Sequence, residues 1–292
     1  MIESERDRRK AMWDSLLKFG GPNNISPTLL KDLRIYGGAS GIWVDKKQTS
    51  SFTQDNHGVT VGLLHRGKHY PDSLSDIGIT YHYPRTKRPP SRDVDEIEST
   101  KNVNRLSLPV FVITSAKSNS SQRDVHLGWI ESWDDQNNTF QITFTEEPSK
   151  EIISQPENET PFTLTDNKTR PMGQVKVRLG QQRFSFRVFQ RYGEECAVCD
   201  IKEIALLDAA HIRPIRDHGS DDPRNGLVLC AIHHRALDAG LFCINPDTLS
   251  ICYHDKRADS TSLHITRENL HHLKNHPHRT ALQWLWNQWN LT

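Results

Sequence analysis

An α+β protein of two domains is the fold class that this 292-residue sequence predicts, on three observations. Between Gly37 and Glu147 the apolar residues fall into short β-rich runs bounded by turn residues. All five cysteines lie between Cys196 and Cys252, in a part of mixed pattern. Residues 148–172, between these parts, are polar and contain proline, as an interdomain linker does. The length suits about two domains.

Residues 1–36 read as an N-terminal helical segment. Met12, Leu16 and Leu17 follow a helical spacing over residues 5–19, and Gly20-Gly21 stops it. Ser26-Pro27 opens a second helix to about Tyr36, with serine as N-cap and proline at the first helical position. The front domain spans 37–147. Its strands are predicted at Gly58–Leu64, Leu108–Ile113 and Thr139–Phe144, with a helix near Val94–Leu106, and the whole reads as a curved sheet or barrel. The back domain spans 173–292. Arg183–Tyr192 is predicted helical with Phe184 and Val188 inward, and two more helices are expected over Arg267–Lys274 and Ala281–Asn290. Trp284, Trp286 and Trp289 are read as core packing rather than base-stacking platforms.

The net charge is +1, so total charge points to no partner, but its distribution does. From Lys168 to Gly193 there are seven basic residues and no acidic one. Arg183, Arg187 and Arg191 recur every fourth residue, which aligns them on one helix face suited to DNA phosphates. No apolar run approaches the roughly 18 residues that span a bilayer. The opening Met1–Asp7 lacks a signal-peptide core, so the expected location is the cytoplasm.

An odd number of clustered cysteines argues for metal or buried thiols rather than a disulfide framework. Cys196-Ala197-Val198-Cys199 is a CxxC knuckle and Cys230-Ala231-Ile232-His233 a CxxH. Together they supply the four soft or borderline ligands that tetrahedral structural Zn2+ takes. Cys243 and Cys252 sit in apolar, strand-like contexts and read as buried thiols.

Between and beyond the half-sites run Ala209-Ala210-His211-Ile212-Arg213-Pro214, then Asn225-Gly226-Leu227-Val228-Leu229-Cys230, then His233-His234 and Leu237-Asp238-Ala239-Gly240. This string resembles the HNH nucleases, as does the lead-in Arg178-Leu179-Gly180-Gln181-Gln182-Arg183-Phe184. The resemblance covers about residues 173–292 and implies a ββα-metal fold that hydrolyses phosphodiesters. It makes His211 the general base, Asn225 the holder of the His211 loop, and His234 a ligand of a catalytic Mg2+ or Mn2+. A neutral histidine suits proton abstraction near pH 7. Adjacent helical residues point about 100° apart, so His233 and His234 can serve two metals. Many such nucleases carry a ligand immediately before the first histidine, where this chain has Ala210. Asp208 shares a strand face with that position and is the substitute carboxylate ligand. The other reading leaves Asp208 on the surface and completes the metal site with water.

The front domain contains Gly67-Lys68-His69-Tyr70-Pro71-Asp72, Asp76-Ile77-Gly78-Ile79-Thr80-Tyr81 and Asn104–Val112. In order and spacing these are similar to SRA-type domains of the PUA superfamily, which read modified cytosine by base flipping. The resemblance implies Tyr70 and Tyr81 as stacking aromatics and Asp72 as acceptor of the cytosine amino group, with Ser73 its rival. His69, His82 and Tyr83 could line the same cleft. Together the two resemblances imply a bacterial modification-dependent restriction endonuclease of the Mcr type. Its partner would be double-stranded DNA carrying 5-methyl- or 5-hydroxymethylcytosine, cut by a homodimer because one module nicks one strand. Two alternatives stand: a front domain reading phosphorothioate or glucosylated bases, and a DNA-binding protein that does not cleave.

Overall fold

The computed structural model describes residues 2–38, 41–53, 56–65, 73–86, 88–145, 161–165, 174–253 and 258–290. The chain divides into two compact units, Met1–Ser154 and Gln155–Thr292. Secondary structure is mixed α and β in both. No helix among the described residues is long and apolar enough to cross a membrane.

The first unit begins with α1 (Ile2–Lys18) and α2 (Pro27–Asp32). Ser26 caps α2 as its residue type dictates, its Oγ accepting from the Leu29 amide at 3.2 Å. Then come β1 (Gly41–Val44), α3 (Lys46–Thr49), β2 (Thr60–Leu64), β3 (Ser73–Leu74), β4 (Gly78–His82), α4 (Pro90–Arg105), β5 (Val110–Ser115), β6 (Arg123–Asp134) and β7 (Thr139–Thr143). The strands form one sheet in the order β1-β2-β5-β6-β7-β4-β3, in which only β2 and β5 run parallel. No pairing among the described residues closes β3 onto β1.

Strand β6 turns the sheet. Its first half pairs with β5 and its second with β7, with a register shift between Ile130 and Ser132. One side of the sheet packs Leu63, Ile79, Val112, Phe140 and Ile142 against Val103 of α4. The other packs Phe111, Ile113 and Val125 against Met12 and Leu16 of α1 and Leu30 of α2. Arg9 fastens α1 to this sheet although it is fully buried. Its guanidinium donates to Glu5 at 2.7 Å, to the Thr60 carbonyl at 2.9 Å and to the Pro109 carbonyl at 2.6 Å.

The second unit is built around a hairpin of β8 (Leu207–His211) and β9 (Gly226–Cys230), followed at once by α6 (Ala231–Asp238). Helix α5 (Gln174–Tyr192) precedes the hairpin. A second hairpin, β10 (Phe242–Ile244) with β11 (Ile251–Tyr253), and α7 (Arg279–Trp289) follow it. Phe184 and Val188 of α5 are buried, as their spacing predicts. They lie so close to β9 that a Cβ on Gly226 would come within 2.7 Å of both, so only glycine lets the helix settle there. Of residues 148–172, only 161–165 are described, and they pack on this unit: Ser220 donates its amide to the Leu164 carbonyl and its hydroxyl to that of Thr163.

The helix expected over Arg267–Lys274 is absent; the segment is a series of turns. Its backbone groups are engaged elsewhere, which competes with helical bonding. The Arg267 amide donates to the Val198 carbonyl, the Leu270 amide to that of Leu249, and Glu268 accepts from the Ile251 amide. The tryptophans of α7 are half-buried rather than core: Trp286 packs on Trp289, and the Arg213 guanidinium lies 5.2 Å from the Trp284 ring.

Candidate active site

The sequence places the CxxC just after α5 and the CxxH where β9 runs into α6, and the fold brings the two half-sites together. The ligand atoms of Cys196, Cys199, Cys230 and His233 all lie within 4.8 Å of one another, and all four residues are buried. His233 Nδ1 is 3.1 Å from Cys230 Sγ and 3.6 Å from Cys196 Sγ. Its other nitrogen, Nε2, lies 2.9 Å from the Leu263 carbonyl, which can only accept. That bond fixes the proton on Nε2 and turns the Nδ1 lone pair toward the three sulfurs, as a metal-ligating histidine requires. Burial pushes the Cys199 thiol well above its ordinary value, against the lowering influence of the Ile201 amide. Metal capture here therefore displaces thiol protons. The donor set is of the Cys3His kind that takes structural zinc. Cys243 is buried and Cys252 partly so, facing each other across the β10–β11 hairpin and outside this set.

His234, one residue on, is 29% exposed at its side chain and stands outside the Cys3His set. Its Nδ1 lies 3.1 Å from Oδ2 of Asp208, and its Nε2 3.9 Å from Oδ2 of Asp238. Asp208 is 53% exposed, which leaves its outer side open to water and phosphate. The chemistry of these donors fits a hard divalent cation.

His211 ends β8 and stacks on Phe184, ring centroids 3.6 Å apart. Its Nε2 lies 3.2 Å from Oδ1 of Asp221, a residue the sequence reading had not singled out. Asn225 is fully buried, and its amide closes the loop after His211. Its Oδ1 accepts from the Arg213 amide at 3.0 Å, while Nδ2 donates to the carbonyls of Arg213 at 3.0 Å and Ser220 at 2.9 Å. The chain thus forms two pairs on one hairpin and helix, His211–Asp221 and Asp208–His234. His211 makes no hydrogen bond or ion pair to Asp208 or His234.

Residues 196–245 match the family described as HNH endonuclease. The second unit carries an HNH endonuclease module. No curated protein matches the sequence. Among solved structures, the chain is similar to a "Modification dependent TagI restriction endonuclease", at 18% identity over 91% of each chain with a TM-score of 0.32. A SUVH5 SRA complex with fully methylated CG DNA is 19% identical over 44% of this chain and 89% of that one, TM-score 0.30. The "Type IV phosphorothioation-dependent restriction endonuclease ScoMcrA" is 13% identical over 88% of this chain and 56% of that one, TM-score 0.30.

On α5, Arg183 and Arg187 are half-buried, and Arg191 donates to the His276 carbonyl at 3.1 Å with its guanidinium against the Tyr192 ring. In the first unit Tyr70 and Asp72, with His69, fall outside the described residues. Tyr81 is 7% exposed, and its hydroxyl lies 3.3 Å from the Leu64 carbonyl. A base could stack on that ring only after displacing what covers it. Tyr83 is likewise buried, bonded to Asp135 at 2.9 Å and packed on Phe140.

Proposed function

We propose that the chain is a modification-dependent DNA endonuclease whose first unit reads modified cytosine and whose second unit hydrolyses the phosphodiester. The observation that carries the reading is the 3.1 Å pairing of Asp208 with His234, on the same hairpin and helix that present His211. In this reading His211 takes the proton of the attacking water as the water oxygen bonds to phosphorus. The bond from phosphorus to the leaving oxygen then breaks, and that oxygen takes a proton from solvent. Asn225 keeps the His211 loop in shape through its backbone bonds. Asp208 and His234 would hold a divalent ion, Mg2+ or Mn2+, which supplies positive charge against the charge developing on the phosphate and the leaving oxygen. Cys196, Cys199, Cys230 and His233 would hold zinc and keep the histidines in register. Arg183, Arg187 and Arg191 would meet phosphates along α5.

The cytosine mark rests on the order and spacing of the first unit's Tyr70, Asp72 and Tyr81 segments. Flipping a base needs aromatic faces to replace lost stacking and an acceptor for its amino group. One module cuts one strand, so a double-strand break calls for a homodimer on DNA.

The test digests one duplex carrying unmodified, 5-methyl-, 5-hydroxymethyl- or glucosylated cytosine, or phosphorothioate linkages, in Mg2+ or Mn2+ and in EDTA. Cleavage confined to the methyl or hydroxymethyl substrate and abolished by EDTA is the expected result. Cleavage of the phosphorothioate or glucosylated duplex alone would reassign the mark, and no cleavage of any duplex would reduce the chain to a DNA-binding protein.

A further inference from the structure

Helix α5 contains an interior glycine, Gly180, that helix propensity disfavours. A Cβ at Gly180 would lie 3.1 Å from Oδ2 of Asp221, closer than side chains ordinarily pack. Four residues on, Phe184 carries the His211 ring at 3.6 Å, and after four more Val188 meets Gly226. Residues spaced by four share a helix face. One stripe of α5 therefore seats the Asp221 carboxylate, the His211 ring and the start of β9 in succession.

We propose that Asp221 is the positioning residue for His211, seated by Gly180. The inference rests on the reading of His211 as general base. A carboxylate accepts and cannot donate, so the 3.2 Å contact requires the His211 proton on Nε2. The lone pair is then on Nδ1, and Nδ1 is the atom that takes the water's proton. Stacking on Phe184 prevents the ring from tilting away, and the Asp221 carboxylate holds the tautomer that leaves the lone pair on Nδ1. The Asp221 side chain is 22% exposed, with Oδ1 3.2 Å from His211 and Oδ2 beside the bare backbone of Gly180, whereas Asp208 is 53% exposed. That difference assigns orientation to Asp221 and cation binding to Asp208. It also gives the lead-in motif a purpose beyond phosphate contact, since Gly180 and Phe184 are two of its residues.

The experiment compares Asp221→Ala, Asp221→Asn, Gly180→Ala and His211→Ala in the zinc-loaded full chain. It reads kcat and KM on marked duplex, Mn2+ affinity by calorimetry, thermal unfolding, and the ring 15N shifts of His211. Asp221→Ala should lower kcat about 10- to 100-fold, by analogy with loss of a carboxylate behind a functional histidine. KM and Mn2+ affinity should stay within about twofold, and the 15N shifts should report loss of the fixed Nε2–H form. Asp221→Asn, whose amide oxygen can still accept, should recover part of the rate and keep the tautomer. Gly180→Ala should lower kcat while unfolding no earlier, because alanine is the better helix former. An Asp221→Ala chain with unchanged kcat and unchanged His211 shifts overturns the proposal, as does a tenfold loss of Mn2+ affinity, which would make Asp221 a ligand. Wild-type cleavage by Gly180→Ala overturns the seat. If His211→Ala cleaves normally, the general-base reading itself fails, separately from the role of Asp221.

Discussion

Asn225 has no exposed surface, yet its amide satisfies one backbone amide and two backbone carbonyls of the loop that follows His211. The resemblance to HNH nucleases implies this part for it, and an asparagine amide suits the bonds because it can accept and donate in one plane. Asp221 was not legible. It lies ten residues from His211, and they meet only because Asn225 folds the intervening loop back. Arg9 was hidden for another reason: in a helix rich in charge, nothing local marks one arginine as buried. Asp208, the carboxylate proposed in place of a ligand at Ala210, lies 3.1 Å from His234. Asp208→Asn should therefore weaken Mn2+ binding by about tenfold or more, as loss of ligand charge does, and cleavage should fall with it. His211→Ala should leave Mn2+ binding intact while lowering kcat by about 100-fold or more, the usual share of a general base. Calorimetry and single-turnover cleavage on both variants would separate them. Equal metal affinity in Asp208→Asn and the parent would remove Asp208 from the site.

Helices with clear start signals and strands with unbroken apolar runs were readable, and elements that change partner or give their bonds to distant segments were not. Helix α4 was expected near Val94–Leu106 and runs Pro90–Arg105, because proline at its start sets the first turn. Strand β6, the longest in the sheet, was missed. Its sequence Arg-Asp-Val-His-Leu-Gly-Trp-Ile-Glu-Ser-Trp-Asp mixes charge with aromatics, and its alternation breaks at the register shift where it changes partner. The Arg267–Lys274 segment misled in the opposite direction, for its leucine spacing imitates a helix while its amides serve the cysteine knuckle and the β10–β11 hairpin. That knuckle links several elements: the Ala197 amide donates to Val228 of β9, Thr266 and Arg267 both donate to Val198, and His233 holds Leu263. Removing zinc should therefore unfold more than the four ligands. A strong chelator, or Cys199→Ser, is expected to abolish the cooperative thermal transition of the second unit, since such metal binding is folding free energy of about 10 kcal/mol or more. Excess Mg2+ should not restore it, because the sulfur donors select zinc. An unchanged calorimetric transition after verified zinc removal would count against a structural role.

At the scale of the whole molecule, each unit has its own core, and each contains a histidine held neutral by its surroundings. In the first unit His126 is pushed below its ordinary value by burial, only partly offset by the charge of Asp124, and its ring stacks on Phe144 at 4.5 Å. In the second, His278 is lowered by burial and then by the charge of Arg224. Its Nδ1 accepts from the Thr280 amide at 3.2 Å to cap α7, a bond that only the neutral ring can make. For a histidine whose folded pKa is depressed, the unfolded chain binds the proton more readily. Full stability is then present above the unfolded value of about 6.5 and is lost as pH falls from there toward the folded value. Each tenfold drop in proton affinity corresponds to about 1.4 kcal/mol lost at low pH. Glu5 adds a later step. Burial alone would raise it, but bonds and charge from Arg8 and Arg9 carry it below the ordinary glutamate value. Its stabilisation is therefore present above about pH 4.3 and disappears as pH falls through the lower folded value. Both units should melt earlier at pH 5.5 than at pH 8, and the first should weaken again below pH 4. Calorimetry across that range checks this, with His126→Gln expected to flatten the upper step in the first unit alone. A melting profile independent of pH between 8 and 5.5 would mean that neither histidine is held neutral by its fold.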